Sequence, residues 1–164
     1  MPVAKFVLAA AALLLLLVGT LVYVLDRPAG SAWLLPAQLQ MQTTASWFGR
    51  VGEWLPSLAH GFAFSVLTAL LLPRSRRWAA AACAGWAAID TLAELGQHRA
   101  VSAWLAPQIE WLFNGAPWGA RLAHYFSRGV FDPADVVAGL TGCALAYAAW
   151  HWAVLRRRAA RQAR

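Results

Sequence analysis

The chain has 164 residues, enough for one domain and too few for two comfortable ones. It is 60% hydrophobic, only 13% charged and carries ten tryptophans, a balance that excludes the soluble globular classes. The net charge of +7 gives no case for nucleic acid, because the basic residues sit beside apolar helix ends, where orientation and attraction to anionic lipid account for them.

A hydrocarbon core about 30 Å thick takes roughly 20 apolar helical residues to cross. Four stretches qualify, residues 6–25, 55–72, 78–97 and 134–155, separated by two long loops, 26–54 and 98–133. The expected fold is therefore all-α: a single membrane domain over residues 1–164, built as a four-helix bundle with interfacial amphipathic helices in the two loops. The first stretch, "FVLAAAALLLLLVGTLVYVL", is longer than a signal-peptide core and reads as a retained, lipid-facing anchor. In the first loop, "SWFGRVGEWLPSL" spaces Trp47, Val51, Trp54 and Leu58 at helical intervals, the pattern of a helix lying at the interface. Pro56 then suits the first turn of helix two.

"PRSRR" makes a tight turn, so helices two and three are expected to be antiparallel neighbours. Helix three is rich in Ala and Gly, which favours close approach to its partners. In the second loop, two aromatic-rich pieces, centred on Trp104–Phe113 and Trp118–Phe126, read as short interfacial or re-entrant helices. Helix four ends in Trp150 and Trp152, the pattern of an aromatic belt, and "RRRAARQAR" follows. Lys5, Arg74, Arg76, Arg77 and the five arginines after residue 155 make nine of the fourteen basic residues, with no acid among them. The positive-inside rule then puts both termini in the cytoplasm. Cys83 and Cys143 fall inside helices and give no disulfide framework.

Asp90 and Glu94 interrupt helix three. Together with Gln97 they are spaced by four and three residues, which places them on one helix face. At 1.5 Å per residue, Asp90 lies about 18 Å and Glu94 about 24 Å from the inner surface, in the outer half of the membrane. A carboxylate at the helix centre costs on the order of 2.5–3.5 kcal/mol on insertion scales, so these groups are expected to face the bundle interior and a partner. The topology brings His60, Asp90, Glu94, Gln97, Arg128, Asp132 and Asp135 to one level. Arg128 is the natural partner for Glu94 or Asp135, and "FDPAD" suits a cap for helix four. A purely structural role, with the carboxylates pairing to Arg128 and His60, stands beside a ligand-binding one. No HExxH, nucleophile elbow or glycine-rich phosphate loop is present, so no metal, cofactor or catalytic residue is assigned.

"HGFAFSVLTALLL" from His60, "ELGQ" at Glu94–Gln97 and "SRGVFDPADVVAGLTGCALAY" at Ser127–Tyr147, in that order, resemble the VanZ-like family of small bacterial membrane proteins. In that family a His or similar polar residue opens one helix and a Glu-x-x-Gln ends the next. An Arg and an Asp then lead into a glycine-containing last helix. The resemblance covers about residues 55–150. The sequence departs from the family in its long connection between Gln97 and Arg128, and in Gly139 where an Asn is common. The family's namesake is linked to resistance to a glycopeptide that acts on lipid-linked cell-wall precursors. The resemblance thus implies a multi-pass protein of the bacterial inner membrane. His60, Asp90, Glu94, Gln97, Arg128 and Asp135 would bind the polar head of an envelope lipid or cell-wall precursor. Two alternatives are an accessory subunit of a membrane protein complex and a membrane-embedded hydrolase or transferase using Glu94 or Asp135 with His60.

Overall fold

A computed structural model describes residues 2–28, 37–39, 41 and 46–155. Among them are six α-helices and no strand: α1 (Pro2–Leu25), α2 (Val51–Leu71), α3 (Arg76–Gly96), α4 (Arg99–Leu112), α5 (Pro117–Arg128) and α6 (Pro133–Trp150). After Trp150 the helix widens into a π-helical turn, His151–Leu155. The arginine-rich tail that bears on orientation lies outside the described residues.

Two helices, α1 over Val3–Leu25 and α2 over Val51–Leu71, are long and apolar enough to cross a membrane, which marks a membrane protein. α5 and α6 pass the same test together as a pair bent by 116°. α3 does not pass it: its apolar residues are mostly alanines, and its C-terminal half holds Asp90 and Glu94.

α2 is the centre of the assembly and touches α1, α3 and α6; α3 also touches α6. α1 runs antiparallel to α2. Lys5 Nζ donates to the Leu70 carbonyl at one end (3.5 Å), and Val22 packs near Gly52 at the other. α1 buries Ala4, Leu8 and Ala12, spaced one turn apart, and leaves Phe6, Leu13, Leu14 and Leu17 exposed. That one-sided burial fits the lipid-facing role expected for it.

The α2–α6 contact is the tightest. Ser57 Oγ donates to Asp135 Oδ1 (2.7 Å), Ser65 Oγ to Cys143 Sγ (3.5 Å), and between these pairs Gly61 faces Gly139. Both helices advance by four residues per pair, so they run parallel. Side chains at 61 and 142 would strike backbone: a Cβ on Gly61 meets the Gly139 carbonyl, and one on Gly142 meets the Leu58 carbonyl and lies 2.8 Å from the Phe62 nitrogen. In an apolar environment such small-residue seams hold helices by close packing rather than by the hydrophobic effect. The hairpin between α2 and α3 turns at residues 72–75. Ser75 caps α3 by accepting from the Trp78 amide (3.2 Å), and Trp86 stacks on Phe64 at 4.7 Å and donates to Thr68 Oγ1 (2.9 Å). On α3, close packing is carried by Ala79, Ala82 and Cys83; Gly85 faces open space.

The first loop departs from expectation. Among the described residues no separate α-helix precedes helix two: α2 starts at Val51 and takes in Trp54 and Leu58, and Pro56 sits well inside it rather than in its first turn. Proline removes the amide that would bond the carbonyl four residues back, Gly52. Arg27 Nη2 supplies the missing donor, reaching the Gly52 carbonyl (3.3 Å) and that of Glu53 (2.9 Å). Beside it, Asp26 accepts from Ser46 Oγ (2.7 Å), Trp47 N (2.8 Å) and Phe48 N (2.7 Å), tying the end of α1 to the turn before α2. Gly49, at φ 52°, makes that turn possible.

The two pieces expected in the second loop are α4 and α5, which fold into a hairpin of their own around Ala106, Ile109 and Ala123. At the far end of α6, Trp150 is only 2% exposed and belongs to the core, whereas Trp152 is 64% exposed. Only the second therefore matches the expected aromatic belt, because Trp150 faces the bundle beside Leu8 and Ala69.

Two predictions follow from these contacts. Gly142→Leu should destabilise the detergent-solubilised protein by about 1–3 kcal/mol, the usual cost of overpacking, while Gly85→Ala should be neutral or slightly stabilising; paired thermal melts check both. Asp26 is held below its ordinary value of 3.8: desolvation pushes it up, but the bonds from Ser46, Trp47 and Phe48 and the charge of Arg27 outweigh it. Its contribution is therefore present above about pH 4 and lost as pH falls through the lower folded value. Melting midpoints measured in that acid range should fall more steeply for the wild type than for Asp26→Asn.

Candidate functional site

At the end of the bundle where α1 and α3 finish and α2 and α6 begin, a cavity of about 950 Å³ opens. It lies at the upper end of the range for small-molecule sites. The basic residues Lys5, Arg76 and Arg77, on helix ends, and Arg74, in the turn between α2 and α3, lie at the opposite end of the bundle.

The wall from α5 is basic. Arg121, His124, Tyr125 and Arg128 fall at i, i+3, i+4 and i+7, so one face of the helix lines the cavity while Ala123, Leu122 and Phe126 pack against α4. Pro117 starts α5 and Gly129 follows its end. α1 adds Tyr23 and the turn after it adds Arg27, which is fixed by its bonds to the α2 carbonyls.

The opposite wall is acidic. Glu94 and Gln97 come from the last turn of α3 and Asp135 from the first turn of α6. Gln97, nearly buried, is the joint between the walls. Its Nε2 donates to Glu94 Oε1 (3.2 Å) and to the Tyr125 hydroxyl (2.9 Å). Gly129 leaves room for this amide: a Cβ there would strike the Gln97 side chain. Gly96 does the same for the Phe126 ring, 2.5 Å from where its Cβ would stand. Tyr125 accepts from Gln97 and keeps its own proton to donate. Burial, and then the negative charge of Glu94, pushes its hydroxyl above the ordinary range, so it stays neutral.

Glu94 is only half satisfied. Its Oε2 is buried and has no hydrogen-bond partner among the described residues. Asp135 is held by Ser57, and Asp132 caps α6 by accepting from the Ala134 amide (2.8 Å), as the "FDPAD" pattern implies. The expected pairing of Arg128 with Glu94 or Asp135 is not formed: among the described residues no ion pair joins the two walls.

Of the residues singled out in the sequence, Glu94, Gln97, Arg128 and Asp135 meet in the cavity. His60 does not. It is exposed on α2, its ring 5.5 Å from that of Phe64, so the cavity's histidine is His124. Asp90 lies one turn deeper on α3, against Gly139, with Oδ2 buried and unpaired; a glycine there has no side chain to donate to it. Asp132 stays exposed outside the lining. Sequence reasoning missed Tyr23, Arg27, Ser57, Arg121 and Tyr125. The spacing of 121, 124, 125 and 128 carried a signal for α5, whereas the placement of α1 against α2 carried none. Among the described residues no three His, Cys, Asp or Glu side chains are grouped to hold a metal ion.

Because Gln97 bonds both walls, Gln97→Leu should lower stability by about 1–3 kcal/mol through the polar groups it strands, and chemical or thermal unfolding measures that loss. Compared with known protein families, curated proteins and solved structures, the chain matches none.

Proposed function

We propose that the protein is a VanZ-like multi-pass protein of the bacterial inner membrane, crossing it four times with both termini in the cytoplasm. Its outward cavity binds the polar head of an envelope lipid or lipid-linked cell-wall precursor. The observation that carries this reading is the cavity itself. It has headgroup dimensions, arginines line one wall and an under-satisfied carboxylate the other, and both lie at the helix ends away from Lys5 and Arg74–Arg77. α3 and α6 serve as the third and fourth spans, because each packs along the strongly apolar α2. In that arrangement the α4–α5 hairpin lies in the headgroup layer, with the exposed Trp104 and Trp111 of α4 as interfacial anchors. Arg128 contacts phosphate, and Glu94 and Gln97 orient the head.

A second reading, an accessory subunit docked in a larger membrane complex, draws on the exposed small-residue side of α3, where Ala80, Ala84, Gly85 and Ala88 leave a surface that a partner helix can approach closely.

Thermal melting of the purified protein with anionic phospholipid, zwitterionic phospholipid and an isoprenoid-pyrophosphate lipid tests the first reading. At least one should raise the wild-type midpoint by roughly 3–8 °C, and Arg128→Gln should fold normally yet lose that shift. No shift with any lipid, together with co-purification of a stoichiometric membrane partner, would favour the second reading.

A further inference from the structure

The charges of the cavity are segregated and unspent. Arg121 and Arg128, on one face of α5, form no ion pair among the described residues, and Arg27 completes a basic side although its guanidinium already serves two carbonyls. Facing them, among the described residues, Glu94 keeps a buried oxygen with no partner and the Asp135 carboxylate engages only the Ser57 hydroxyl. Arginines and carboxylates that share a cavity normally close on one another, since a charge-assisted pair is the cheapest way to satisfy both. Here the walls are linked by the neutral Gln97–Tyr125 bond, and among the described residues no arginine–carboxylate pair joins them.

This arrangement selects among ligands by charge. A purely anionic head meets the arginines but brings negative charge against Glu94 and Asp135. A purely cationic head meets the carboxylates but faces three guanidinium groups. A molecule that carries both charges a few bonds apart satisfies both walls at once, and a primary ammonium has the donors that Glu94 Oε2 lacks. Resting on the headgroup-binding reading above, we infer that the cavity takes a zwitterionic head, a phosphate joined by a short link to a primary ammonium. The phosphate sits at Arg121 and Arg128 and the ammonium at Glu94 and Asp135.

The test uses the full chain in mild detergent and reads half-saturating ligand concentration from thermal shift. The probes are phosphatidylethanolamine, phosphatidylglycerol and phosphatidylcholine with identical acyl chains, and free phosphoethanolamine. Phosphatidylethanolamine should bind about tenfold more tightly than phosphatidylglycerol, the worth of one charge-assisted hydrogen bond. Phosphatidylcholine, whose ammonium has no N–H, should lose that advantage. Glu94→Gln should abolish the preference while phosphatidylglycerol binding persists, and Asp135→Asn gives the same readout if the first variant folds poorly. Free phosphoethanolamine binding as tightly as the lipid would support the chemistry and make the ligand soluble. Equal or tighter binding of phosphatidylglycerol, or a preference that survives both substitutions, would overturn the zwitterion and leave headgroup binding standing. Absence of any shift with all four probes would overturn the zwitterion, and headgroup binding falls with it only when the isoprenoid-pyrophosphate lipid gives no shift either.

Discussion

The parallel seam between α2 and α6 is the constraint on which the rest of the structure depends. Gly61 and Gly142 let the two backbones approach until the carbonyls of Gly139 and Leu58 stand where their side chains would be. That contact fixes the register of Ser57 with Asp135 and of Ser65 with Cys143, and so decides which helix starts share a level. Two parallel helices cannot be joined by a short turn, so the intervening chain must cross the length of the bundle and return. α3 makes that crossing, and the α4–α5 hairpin covers the distance from the end of α3 to the start of α6. The cavity is the space this return path leaves between α5 and the helix ends.

Several polar groups around the cavity end of the bundle are held by donors from distant parts of the chain. The proline inside α2 frees a carbonyl, and Arg27, just past the end of α1, bonds it. Asp26 collects three donors from the turn before α2. Gln97 joins the end of α3 to α5. These links matter because an unpaired polar group in a low-dielectric setting costs more than a hydrogen bond returns. Among the described residues the exceptions are Asp90 Oδ2, Glu94 Oε2 and His151 Nδ1, and of these only Glu94 belongs to the cavity lining.

The hairpin shows how one amphipathic helix serves two surfaces. Ala123, Leu122 and Phe126 bury against α4, and the face with Arg121, His124 and Arg128 is left for the cavity. A helix with this division is stable only while both faces are occupied, one by apolar contacts and the other by water or a polar ligand. The glycines at 96 and 129 thin the backbone on either side, so that the Phe126 ring and the Gln97 amide fit between α3 and α5.

The sequence by itself determined the helical class, the apolar spans of α1 and α2, two helical pieces in the long second loop and the Asp132 cap. Each of these follows from composition, periodicity or a local pattern of a few residues. Glu94, Gln97, Arg128 and Asp135 were legible as one cluster because helix ends at one level are a matter of counting. What only the tertiary structure decided was which side chains turn toward one another. Rotation of α2 about its axis, fixed by the glycine seam, brings Ser57 to Asp135 and leaves His60 outside. The packing of α1 delivers Arg27 to the proline-freed carbonyl, a pairing between residues far apart in sequence with no local signature. The expected Arg128 ion pair fails for the same reason. Charge complementarity can be read from residue types, but which groups meet is set by how α5 lies against α3, and there the link is the Gln97–Tyr125 hydrogen bond.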